Sequence, residues 1–79
     1  MRVFFHYRSF GQGNWTNIEL EVAQIPAVGE YVTLQPNSPW YKVQIVIHLA
    51  FEDRNLDGEV FAVETDHMEE QHQAMPDFP

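Results

Sequence analysis

The chain has no cysteine among its 79 residues, which excludes a disulfide scaffold, a zinc ribbon and a cysteine nucleophile. It has four lysines and arginines against twelve aspartates and glutamates, a formal net charge of −8. Nucleic-acid binding depends on cations that neutralise phosphates, and so few, scattered through an acidic chain, leave no such footprint. The same shortage disfavours anionic membranes. No apolar run approaches the roughly 18–20 residues of a membrane span, and the opening Met1-Arg2-Val3-Phe4-Phe5-His6 is not patterned as a signal peptide. These absences point to a soluble chain, expected in the cytoplasm, with neither nucleic acid nor membrane as partner.

What is present fits one small domain, since domains run roughly 50–250 residues. A chain this short buries only about 60% of the surface it exposes when unfolded, so its core is thin. A hydrophobic content of 44% and an aromatic content of 14% compensate, and argue against disorder ahead of the tail. The acidity is lopsided. Residues 1–40 carry two cations (Arg2, Arg8) and three acids (Glu19, Glu21, Glu30), whereas residues 41–79 carry two cations (Lys42, Arg54) and nine acids. Such a surface serves solubility, attracts cations or basic proteins, or imitates DNA toward a nucleic-acid-binding protein.

Period-2 alternation predicts five strands. Val3, Phe5 and Tyr7 alternate with Arg2, Phe4, His6 and Arg8 in the first. Phe10-Gly11-Gln12-Gly13-Asn14 reads as a turn, and Thr16 to Val22 as a second strand with Ile18, Leu20 and Val22 on one face. Pro26 and Gly29 precede a short strand over Tyr31 to Leu34, and two prolines punctuate Gln35 to Pro39. Trp40 to Phe51 is the strongest pattern, with Tyr41, Val43, Ile45, Ile47, Leu49 and Phe51 on one face. Trp40, Lys42, Gln44, Val46, His48 and Ala50 share the other. A polar connection then leads to Glu59–Thr65, where Phe61, Val63 and Thr65 lie opposite Val60, Ala62 and Glu64. The expected fold is mainly all-β: a small five-stranded antiparallel barrel or curved sheet over residues 1–66. Residues 67–79 are expected to form a short helix behind Asp66 and then a flexible acidic tail punctuated by Pro76 and Pro79.

The segment Ile25-Pro26-Ala27-Val28-Gly29-Glu30-Tyr31-Val32-Thr33-Leu34, followed by Trp40-Tyr41-Lys42-Val43-Gln44-Ile45-Val46-Ile47-His48, resembles a pattern in small uncharacterised bacterial proteins with SH3-like β-barrels. Some of these are carried on phages and integron gene cassettes. The resemblance covers residues 25–48 and, more faintly, 59–65. It implies an SH3-like fold and often self-association. It implies no activity and no catalytic residue, and attaches no role to His48, the matching position.

One motif is sharp. Asp53-Arg54-Asn55-Leu56-Asp57-Gly58-Glu59-Val60-Phe61-Ala62-Val63-Glu64 satisfies the EF-hand loop pattern. Asp53, Asn55 and Asp57 would supply side-chain oxygens, Glu59 its carbonyl, and Glu64 a bidentate carboxylate. Context opposes it: the preceding residues alternate as a strand, and Phe61 stands where a water or carboxylate belongs. A strand over Glu59–Thr65 would also carry Glu64 away from Asp53. The plainer reading is a β-hairpin with Asp57-Gly58 at its tip. Catalytic machinery is sparse. Ser9 and Ser38 lie in turns with no evident base, His67 and His72 are five apart and so do not share a helical face, and Gly11-Gln12-Gly13 lacks the lysine of a phosphate loop. No enzyme activity, metal or cofactor is expected.

The informative oddity is a second apolar face. Phe4, Trp40, Val46, Ala50, Val60 and Ala62 fall on the side not assigned to the core. The expectation is a non-enzymatic interaction module that forms a two-fold homodimer, with Phe4, Trp40, Val46 and Val60 at the interface. Calcium binding at Asp53–Glu64 and an acidic DNA mimic are the alternatives, and the identity of any other protein partner is open.

Overall fold

Residues 1–66 are described by a computed structural model; the helix and tail expected over 67–79 lie outside them. Five strands form: β1 (Arg2–Arg8), β2 (Thr16–Glu21), β3 (Tyr31–Thr33), β4 (Trp40–His48) and β5 (Gly58–Thr65). They make one sheet in the order β2-β1-β5-β4-β3, curled into a half-barrel. The fold is all-β, and no helix occurs among the described residues. The sheet is mixed rather than antiparallel throughout. β1 and β5 run parallel at its centre, while the β1–β2, β4–β5 and β3–β4 pairs are antiparallel.

Turn chemistry follows the sequence. Gly11 and Gly29 adopt positive φ, 76° and 91°, where a side chain would be strained, and Asn37 does the same at 63°. β3 is only three residues long, but the ladder continues beyond it. The Gly29 N–H donates to the Val43 carbonyl at 2.9 Å, and the Val43 N–H donates to the Glu30 carbonyl at 2.8 Å.

The core lies on the concave side. Val3, Phe5, Tyr41, Val43, Val60 and Ala62 are buried there, ringed by Tyr7, Ile18, Leu20, Val32 and Val46. Val22 and Ile25, from the β2–β3 connection, pack on the same cluster. Face assignment thus departs from the alternation at two places. On β5, the residues that turn inward are Gly58, Val60 and Ala62, and Val60 and Ala62 are fully buried at 0% exposure. The parallel register explains why: Val3, Phe5 and Tyr7 lie beside Gly58, Val60 and Ala62, so bulky side chains on β1 meet small ones on β5. The concave space is filled from β1 and β4, where the Phe5, Tyr7 and Tyr41 rings pack together with centroids 4.9–6.5 Å apart.

On β4 the departure is a β-bulge. Val43 pairs with Ala62 but Ile45 pairs with the next residue back, Phe61, leaving Gln44 as the extra residue. A bulge reverses which side chains face which way beyond it. Tyr41 and Val43 therefore point inward before it and Val46 after it, while Ile45 and Ile47 turn outward, 52% and 41% exposed. The strand also ends at His48, three residues before the periodicity does.

Candidate functional site: the convex face of the sheet

With the core on the concave side, the register fixes the composition of the convex face. One row across the strands reads Glu19, Phe4, Glu59, Ile47; the next reads Asn17, His6, Phe61, Ile45. A third reads Arg8, Val63, Lys42, Tyr31, and beyond it Trp40 lies beside Thr65 and Thr33. The middle row is the most organised. His6 is a β1 side chain on the outside of a sheet, yet it is only 8% exposed. Its ring stacks on Phe61 at 4.3 Å and leans on Phe4 at 4.4 Å. Nδ1 lies 2.6 Å from Asn17 Oδ1 on β2, and Nε2 lies 3.0 Å from Glu59 Oε1 on β5. Three strands are thus tied through one imidazole, and both its polar atoms have partners, as a buried ring requires. Trp15 extends the cluster: its ring meets Phe61 edge-on at 5.4 Å and carries the Arg8 guanidinium 4.9 Å above it.

Comparison with known protein families, curated proteins and solved structures finds no match to this chain.

The residues singled out from the sequence separate into two sets. Phe4 and Trp40 lie on the convex face, Trp40 with its ring 5.7 Å from Tyr31. Val46 and Val60 do not: Val60 is core, and Val46 packs against the core from beyond the bulge. Ile45, Ile47 and Phe61 occupy the convex positions instead. Nothing in the alternation marks Gln44 as a bulge, so the exchange was invisible at the level of pattern.

The Asp53–Glu64 segment does not converge. Asp57 is bound to the start of β1, its N–H donating to the Arg2 carbonyl at 2.7 Å and its Oδ2 accepting from the Arg2 N–H at 2.9 Å. That N–H bond, helped by the Arg54 guanidinium 3.5 Å from Oδ1, holds the Asp57 carboxyl below the usual aspartate range. Glu59 is engaged with His6. Glu64 is near the far end of β5, on the order of 20 Å along the strand from Asp57, accepting the Phe10 N–H at 2.9 Å. Asp53 and Asn55 are exposed in the connection. Gly58 is no hairpin tip. It is the first residue of β5, paired with His48 on one side and Val3 on the other.

Hydroxyl chemistry is likewise committed to structure. Ser9 Oγ lies 3.1 Å from the Tyr41 hydroxyl and Ser38 Oγ 2.8 Å from Thr33 Oγ1, and among the described residues neither is bonded to a histidine. Open depressions among the described residues include one lined by Gln24, Ile25, Pro26, Glu30 and Tyr31 and another lined by Tyr31, Thr33 and Trp40. Neither brings a nucleophile together with a base. No helix among the described residues is long and apolar enough to cross a membrane.

Proposed function

We propose that this chain is a non-enzymatic interaction module that self-associates as a homodimer through the convex face of its sheet. The observation that carries the reading is the contiguous set Phe4, Phe61, Ile45 and Ile47 on three adjacent strands, with both isoleucines about half exposed. Single exposed apolar side chains are ordinary, but a patch spanning neighbouring strands marks an interaction surface. The His6 network supports the same reading, because it holds the centre of the patch rigid before any partner arrives and so lowers the entropy lost on binding. Asp57, Glu59 and Glu64 are engaged in separate internal bonds while Asp53 lies exposed in the connection, which leaves the calcium alternative without a converged ligand set on this reading.

Size-exclusion chromatography with light scattering tests the proposal. The expected mass at tens of micromolar is that of two subunits, and Ile45→Glu or Ile47→Glu should return it to one. A wild-type mass of one subunit at that concentration sinks the reading.

A further inference from the structure

The three central rows of the convex face are polarised along the strands, beyond an outer row in which Arg2 and Glu21 pair with each other at 3.7 Å, and that polarity selects one way of pairing two copies. The row containing Phe4 carries acids, Glu19 and Glu59. The row containing Arg8 carries cations, Arg8 and Lys42, two of the four that the chain possesses. Between them lies the His6, Phe61, Ile45 row, which bears no exposed acid or cation of its own. Phe4 and Arg8 are four positions apart on β1, so the acidic and basic rows are separated by about 13 Å.

Two sheets that pack face to face keep their strands nearly aligned, about 10 Å apart. A symmetric pair can then be generated by a two-fold axis lying between the sheets in one of two directions. An axis along the strands places each row over itself, acid on acid and cation on cation. An axis across the strands, above the middle row, inverts the order of the rows. Arg8 then lies over Phe4 of the second copy, between that copy's Glu19 and Glu59, and Lys42 lies over the second copy's Ile47 beside Glu59. The apolar middle rows meet, with Ile45 opposite Ile45. Like-charge juxtaposition penalises the first arrangement and complementary charge favours the second.

Resting on the proposed self-association, we infer that the occupant of the convex face is a second copy of this chain, antiparallel, related by a two-fold axis that crosses the strands over the His6–Phe61–Ile45 row. The geometry makes each contact reciprocal: Arg8 of one copy meets Glu19 of the other, twice per dimer. Reversing either charge alone therefore places like charges at both contacts. Mixing the two reversals places opposite charges at both.

The test uses three variants of the whole chain. Arg8→Glu and Glu19→Lys are each expected to dimerise about tenfold or more weakly than wild type by analytical ultracentrifugation. An equimolar mixture is expected to form a heterodimer with near wild-type affinity. Each monomer's thermal melt verifies that the fold is intact. The absence of native cysteine permits an independent measurement: Ile45→Cys, treated with a bis-maleimide of about 8 Å span, should cross-link to itself across the packed sheets. A wild-type monomer overturns the proposed function together with this inference. A wild-type dimer that ignores both charge reversals, is not restored in the mixture, or fails to cross-link through the Ile45→Cys thiols overturns the axis alone and leaves self-association standing.

Discussion

Gly58→Ala offers a test of the packing in which the sign of the effect is the answer. A glycine inside a strand usually lowers stability, because the unfolded chain loses more freedom on folding, and replacing it by alanine gains about 0.4–1 kcal/mol where the backbone permits. Gly58 has no positive φ, so its backbone conformation does not forbid alanine. The obstacle is space. A Cβ at this position would sit 2.9 Å from the Ile47 carbonyl oxygen and 3.1 Å from Ile25 Cδ1. The first neighbour is backbone of the adjoining strand and cannot retreat without breaking the β4–β5 ladder. The second is the end of a flexible side chain. Overpacking of this kind costs about 1–3 kcal/mol, which exceeds the entropic gain, so a net loss of about 1–2 kcal/mol is expected. In a domain of this size that lowers Tm by roughly 4–16 °C. Urea denaturation of wild type and variant measures it directly. Adding Ile25→Val removes the Cδ1 contact and should recover only the smaller part of the loss, because the carbonyl contact remains. An alanine variant as stable as wild type would refute the close approach of β5 to β4 at this point.

The bulge predicts opposite outcomes for adjacent residues: Val46→Asp should unfold the domain at 25 °C, while Ile45→Asp should change monomer stability by under about 0.5 kcal/mol, both read by circular dichroism. His6→Ala removes the partner of both Asn17 and Glu59 and should cost about 1–3 kcal/mol by denaturant titration, with a double-mutant cycle against Asn17→Ala showing strong non-additivity. Because the Arg2 N–H and Arg54 hold the folded Asp57 carboxyl below its unfolded value, it adds stability above about pH 4 that is lost as pH falls through the lower folded value. Asp57→Asn should flatten that part of the stability–pH curve, and an unchanged acid limb would refute the tie between Asp57 and β1.

How much of this was legible beforehand depended on whether local chemistry or long-range register decided each feature. The strands were readable because alternation is a local property, and β1 and β5 begin and end within a residue of where the pattern places them. Gly11 and Asn37 were readable as turn residues for the same reason. The bulge was not, since Ile45, Val46 and Ile47 are all apolar and β-branched and would suit either face. Which face of β5 turns inward was equally hidden: Phe61 is the larger hydrophobe, and only the parallel register beside Phe5 and Tyr7 makes Val60 and Ala62 the better fit. The convex cluster drew on His6, Asn17, Phe61 and Glu59, residues from three strands, with His6 and Glu59 alone 53 positions apart. Each of them, taken alone, looked like an ordinary strand residue.

The strand order also determines how the molecule must assemble. β1 with β2, and β3 with β4, are hairpin neighbours in both sequence and space, but no ladder joins one pair to the other except β5. The strand at the centre of the sheet is thus the last of the five in the chain. Until it inserts, the two hairpins are separate units, and a lone hairpin is marginal in water. Folding is therefore expected to be slow for the size of the domain, dominated by contacts distant in sequence, and to proceed without a stable fragment ahead of β5. The same arrangement means that residues 1–57 alone should stay unfolded, and that a peptide spanning residues 58–66 should restore the sheet only by folding together with them.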